Sequence, residues 1–192
     1  MTEICVQIDG KLEDIKKSAL DKGFVFSESY NNFDTYYSTI SEEDLKTVPY
    51  KKLLDNSIIV RNIVGENCDI KNIVYKKKTL DDQGNVIEEI KTKLNIDNID
   101  KAKLIFNSLG LTCWCDFINQ NNEYKKGEVV LNIQHVKELG TFIEIEEYES
   151  IKNKSDEEKF SILVDVINSL GFPIGTDYSC KKPFMYLQNK LK

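Results

Sequence analysis

The sequence predicts an α+β fold in which antiparallel strands dominate and a few helices pack against them. Two observations predict it. Much of the chain alternates apolar and polar side chains with period two, the pattern of strands buried on one face. Helix-length runs interrupt that alternation, and they close on glycine.

The first extended segment is Glu3-Ile4-Cys5-Val6-Gln7-Ile8, with its apolar residues at the even positions. A helix follows over about residues 11–21 and ends at Gly23, and a shorter one is expected after Ser41. Ile58 and Val60 then oppose Ile59 and Arg61 along a strand. Residues 81–85 (Asp-Asp-Gln-Gly-Asn) read as a turn, so residues 73–78 and 86–94 form a hairpin. In its second arm Val86, Ile90 and Leu94 share one face, while Ile87, Glu89, Lys91 and Lys93 share the other. A third helix covers roughly residues 100–109, with Gly110 behind it. Val129, Leu131 and Ile133 oppose Glu128, Val130 and Asn132, and Ile143 and Ile145 oppose Glu144 and Glu146. The last helix opens at Ser155, with Glu158 three residues on as a capping box, and stops at Gly171 ahead of Pro173. Three helices close on a similar phrase: Asp21-Lys22-Gly23-Phe24, Ser108-Leu109-Gly110-Leu111 and Ser169-Leu170-Gly171-Phe172.

Composition bounds the function. The chain has 192 residues, 41% hydrophobic and 30% charged, as expected of one folded domain over residues 1–192. A net charge of -6 and the lack of a basic stripe argue against nucleic-acid binding. No apolar run reaches the roughly 18–20 residues that span a bilayer, and no secretory signal opens the chain. A cytoplasmic protein is expected. Five cysteines, at 5, 68, 113, 115 and 180, are an odd number and read as reduced thiols. Cys113-Trp114-Cys115 lacks the second pair that would complete a zinc set. His135 is the lone histidine and reads as a surface or half-buried residue. Trp114 reads as core or a partly covered surface anchor, and Cys5 as an inert buried thiol or, in place of a metal ligand, a soft ligand or reactive thiol. No P-loop, dinucleotide fingerprint or zinc-protease motif occurs.

The charged strand residues are more informative. Glu144 and Glu146, like Lys76 and Lys78, sit at alternate positions in mid-strand, flanked by Ile and Val. They either face water or, if the sheet closes with its polar faces inward, line a charged tunnel. Such a tunnel suits a highly charged ligand, with carboxylates for a divalent cation and basic groups for phosphate.

An ordered series of short motifs extends this reading. Glu3-Ile4-Cys5-Val6-Gln7 opens the chain, then come Asp34-Thr35-Tyr36-Tyr37, Ile58-Ile59-Val60-Arg61 and Val74-Tyr75-Lys76. Ile87-Glu88-Glu89-Ile90-Lys91, Asn119-Gln120-Asn121, Leu131-Asn132 and Leu139-Gly140-Thr141-Phe142-Ile143-Glu144-Ile145-Glu146 follow. Over about residues 3–148 the series resembles the CYTH family of triphosphate-handling β-tunnel proteins, and the last piece matches best. The resemblance implies an eight-stranded antiparallel β-barrel with helices packed on the outside. It implies Mg²⁺ or Mn²⁺ on Glu3, Glu89, Glu144 and Glu146, and a triphosphate or nucleotide on Arg61, Lys76, Lys78 and Lys91. Members hydrolyse thiamine triphosphate or inorganic triphosphate, remove RNA 5′ phosphates or cyclise ATP, and dimers are common among them.

This chain departs from the pattern where chemistry is expected. Cys5 replaces a glutamate and Gln7 a lysine; Ile59 and Ile87 replace arginines; Asn119 and Asn121 replace a basic pair; Asn132 replaces an aspartate. The proposed lining then holds four cations and four carboxylates, which can pair among themselves. Two readings follow: a metal-dependent triphosphatase or cyclase with altered substrate, or a binding module for a smaller phosphorylated ligand.

Overall fold

The alternating segments become strands of a single antiparallel sheet. Among the residues described, the chain forms eight strands and four α-helices. In order these are β1 (Glu3–Ile8), α1 (Leu12–Asp21), β2 (Val25–Ser38), β3 (Ile58–Gly65), β4 (Cys68–Leu80) and β5 (Val86–Asn95). There follow α2 (Ile99–Ser108), β6 (Thr112–Lys126), β7 (Val129–Val136), β8 (Gly140–Glu146), α3 (Asp156–Asn168) and α4 (Lys182–Leu191). The sheet order is β1-β8-β7-β6-β2-β3-β4-β5. The structure, a computed structural model, describes residues 2–49, 52–53, 57–80, 86–178 and 181–191, with backbone alone over 78–80 and 86–89. The expected turn at 81–85 and Cys180 therefore lie outside the described residues, but the hairpin it joins is there as the β4–β5 ladder.

The residues group into two compact units, 1–30 with 119–180 and 31–118 with 181–192. In the first, Ile4, Val6 and Ile8 of β1 join Leu131 and Ile133 of β7 and Ile143 and Ile145 of β8 in one core. Register explains why: Ile4 lies opposite Ile145, and Ile145 opposite Leu131, so three strands present isoleucine or leucine on the same face. Ile15 and Ala19 of α1 and Leu163 and Ile167 of α3, each pair four residues apart, cover that face. Burying each large aliphatic contributes about 1.5–3 kcal/mol. The capping box of α3 forms as expected: the Glu158 N–H donates to Ser155 Oγ at 3.2 Å and the Ser155 N–H to the Glu158 carboxylate at 3.0 Å. All three closing phrases place glycine in the left-handed region, with φ of 83° at Gly23, 76° at Gly110 and 80° at Gly171.

In the second unit the core is smaller. Tyr37, Val60 and Ala102 are buried together with Ile73, Ile99 and Phe106 around them. The Tyr37 and Phe106 rings meet edge to face at 5.3 Å, so α2 packs on the face of β3 and β4 that carries Val60 and Ile73.

Two elements differ from expectation. The helix expected after Ser41 shortens to one 3₁₀ turn, Asp44–Lys46, because Pro49 disfavours helical backbone at the residue before it. The C-terminal α4 was not foreseen. It lies against the face opposite α2: Cys115 Sγ donates to the Pro183 carbonyl at 3.5 Å, and the Phe117 and Tyr186 rings are 5.6 Å apart. Among the described residues no helix is long and apolar enough to cross a membrane.

Candidate ligand-binding site

In the first unit helices bury one sheet face, and the residues singled out in the sequence lie on the other. In the second, α2 packs on one face and α4 lies against part of the opposite one. In the first unit the face opposite the helices is set by register. Glu3 lies opposite Glu146, Cys5 opposite Glu144, and Gln7 opposite Phe142. Glu144 in turn lies opposite Asn132, Phe142 opposite Gln134, Asn132 opposite Glu123, and Gln134 opposite Asn121. Glu3, Glu144 and Glu146 thus share a face, as their alternation predicted. Cys5, Asn119, Asn121, Asn132, Gln134 and Phe142 on that face are buried, which a sheet face open to water would not give.

The amides are wired together. Gln134 Nε2 donates to the Glu144 carboxylate at 3.1 Å, and Cys5 Sγ reaches Gln134 Oε1 at 4.0 Å. Asn132 Nδ2 donates to Asn121 Oδ1 at 3.1 Å. Tyr30 Oη donates to Glu123 at 3.3 Å, and burial with the nearby Glu123 and Glu144 charges pushes its phenol pKa up. Lys125 Nζ lies 3.9 Å from Glu123. Gln7 spends its amide on the Leu139 carbonyl at 2.8 Å. A separate cleft of about 680 Å³ opens at the β1–α1 junction, lined in part by Asp9, Lys11, His135 and Thr141. His135 is half-buried there, its Nδ1 3.4 Å from Thr141 Oγ1, as the sequence suggested.

In the second unit the corresponding face is cationic. Arg61 lies opposite Asn72 and Ile59 opposite Val74. Lys76 lies opposite Lys91, and Lys93 opposite Val74. Arg61, Lys76, Lys91 and Lys93 therefore share one face of three strands, away from α2. Lys77 lies opposite Ile90 and faces the other way. Lys78 and Glu89 are opposite one another in the backbone ladder, and their side chains lie outside the described residues, as does that of Ile87.

The internal neutralisation expected of this lining takes an unexpected form. Arg61 grips Asp34 with both arms of its fork, Nε donating to Oδ1 at 2.6 Å and Nη2 to Oδ2 at 2.5 Å. Asp34 is only 2% exposed. It stands in the Asp-Thr-Tyr-Tyr motif, and nothing within that motif points to a partner 27 residues away. Tyr36, next on that face, stacks on Phe117 with centroids 6.0 Å apart and lies 5.1 Å from Trp114. Ile59 and Val74 add apolar bulk, both buried. Cys115 is an inert thiol, since burial pushes its pKa far up.

Tyr36 makes a pH prediction. Burial, then the Asp34 charge, raises its pKa well above the ordinary 10.0. Above pH 10 the unfolded chain releases this proton and the folded chain keeps it, so stability falls as pH rises. One such group gives about 1.4 kcal/mol per pH unit. Melting temperatures from pH 9 to 11 are expected to decline, and less steeply in Tyr36→Phe. Equal slopes in the two proteins would show that Tyr36 ionises normally.

Metal coordination was the other expectation. Among the described residues no three His, Cys, Asp or Glu groups come together as a set that could hold a metal ion. The side chain of Glu89, one of the four expected ligands, lies outside the described residues, and no step below is routed through a metal.

No family model matches the chain. A Methanocaldococcus jannaschii protein provisionally named adenylate cyclase MJ0240 is 26% identical over 189 residues, 97% of each chain. The PH1819 protein of Pyrococcus horikoshii OT3 superposes with a TM-score of 0.70 at 18% identity, covering 100% of both chains. The candidate adenylyl cyclase HpAC1 of Hippeastrum, described by a dominant triphosphatase activity, superposes at 0.59 with 14% identity over 98% of this chain and 95% of that one. This chain has the fold of those solved structures.

Proposed function

We propose that the chain binds a triphosphate or nucleotide through the cationic face of β3, β4 and β5, as a diverged relative of CYTH proteins. The observation that carries this is Lys76 directly opposite Lys91, with Arg61 and Lys93 on the same face. A polyanion set against this face meets several cations at once. Each lysine–phosphate contact contributes roughly 1.5–3 kcal/mol. The similarity to a protein named for adenylate cyclase, and to one noted for triphosphatase activity, supports this ligand class.

A second reading, binding without efficient turnover, is favoured by one arrangement. Arg61 is already engaged by Asp34, and buried Ile59 stands beside it where the resemblance expects another arginine. A held guanidinium and an isoleucine give little to a transferring phosphoryl group.

The test is calorimetry and thermal shift with inorganic triphosphate, ATP and thiamine triphosphate, each with and without Mg²⁺ or Mn²⁺. A ligand that binds only the folded state raises its melting temperature by mass action. At least one compound is expected to do so, and the shift is expected to vanish in Lys76→Ala/Lys91→Ala. No shift from any of them at about 100-fold the micromolar range sinks the proposal.

A further inference from the structure

The acceptor-rich face of the first unit asks for a different chemistry. Three asparagine amides there have their orientation fixed. Asn121 Nδ2 donates to the backbone carbonyl of Asn119 at 2.8 Å, and a carbonyl only accepts. Asn121 Oδ1 must then be the acceptor, and it receives Asn132 Nδ2 at 3.1 Å and Asn119 Nδ2 at 3.4 Å. With both nitrogens turned inward, the Oδ1 atoms of Asn119 and Asn132 are left buried without a hydrogen-bond donor among the described residues. The two residues are 5% and 8% exposed. Glu144 and Glu123 flank Asn132 on the neighbouring strands.

An unsatisfied buried acceptor costs about 1–3 kcal/mol, so native structures rarely keep two together unless something donates to them. Phosphate is the wrong answer, since its oxygens also accept and the adjacent carboxylates repel it. From the fixed amides and the flanking carboxylates, we propose that this face binds a protonated amine, a small organic cation whose N–H groups donate to Asn119 Oδ1 and Asn132 Oδ1 while Glu144 and Glu123 balance its charge. The site belongs to the first unit alone and is independent of the phosphate proposal.

The experiment is isothermal titration of the full chain with spermidine and putrescine, beside tetramethylammonium, MgCl₂ and inorganic triphosphate. Tetramethylammonium carries the charge but no N–H donor. One or both amines are expected to bind at a single site, and tetramethylammonium is not. Hydrogen bonds to a charged group predict about 10- to 100-fold weaker amine binding in Asn132→Leu and in Asn119→Leu. Triphosphate binding is expected to be unchanged in either variant. Should both leucine variants fail to fold, Asn132→Asp keeps an acceptor at the same place and is expected to bind amine at least as tightly as the unmodified chain. The proposal is overturned if neither amine binds, if tetramethylammonium binds as well, if Mg²⁺ competes for the site at equal concentration, or if a folded leucine variant binds amine normally.

Discussion

Replacing Asp34 with alanine is expected to destabilise the protein by about 3–5 kcal/mol, the largest single effect on folding foreseen from the charged residues. The carboxylate is buried and takes both arms of the Arg61 fork. Its removal leaves a guanidinium whose side chain is only 15% exposed, so the charge has lost its ion pair where water reaches it poorly. For a chain of this length each kcal/mol lowers the melting temperature by roughly 2–4 °C, giving a fall of about 6–20 °C. The double variant Asp34→Leu/Arg61→Met is expected to regain most of the loss, because exchanging a buried pair for apolar groups is often neutral. Inorganic triphosphate should also stabilise Asp34→Ala more than the unmodified protein, since the released guanidinium now competes for phosphate. Thermal melts of the three proteins, with and without triphosphate, decide it. A loss below about 1 kcal/mol in Asp34→Ala would place the pair among surface ion pairs instead.

How far the sequence could foresee this differs between its two kinds of pattern. Alternation gives the face of every strand residue, so Glu3, Glu144 and Glu146 were correctly placed together, as were Arg61, Lys76 and Lys91. It does not give which strands adjoin. The Asp34–Arg61 fork depends on β2 lying beside β3, and the asparagine network depends on the offset between β6 and β7. Neither is encoded within a single segment. The missed helix α4 had a local signal. Pro183 suits a first turn, and Phe184, Leu187 and Leu191 recur at helical spacing. A ten-residue helix of this kind is marginal by itself, and α4 owes its stability to Phe117 and Cys115, which only the folded chain brings near.

Hydrolysis of inorganic triphosphate by the unmodified protein is expected to run no faster than about 0.1 per second in either Mg²⁺ or Mn²⁺, at least 100-fold below a median enzyme. Phosphoryl transfer is stabilised almost wholly by positioned positive charge and hydrogen-bond donors. Removing one such donor from an active site lowers turnover by roughly 10²–10³. On the cationic face, Ile59 occupies a place where the resemblance expects arginine, and it is 1% exposed, so no neighbouring lysine can swing into its position. Arg61 survives but is held by Asp34. Binding and turnover should therefore separate: Lys76 and Lys91 still attract a polyanion, while the groups that would tighten on its transition state are absent or engaged. Ile59→Arg tests the cause. The new guanidinium disturbs a packed site and lowers stability, yet triphosphate is expected to restore more stability to this variant than to the unmodified chain, because it supplies the missing counter-charge. Turnover near 10 per second by the unmodified protein would mean that the face needs neither a second arginine nor a free Arg61, and that its chemistry resides in other groups.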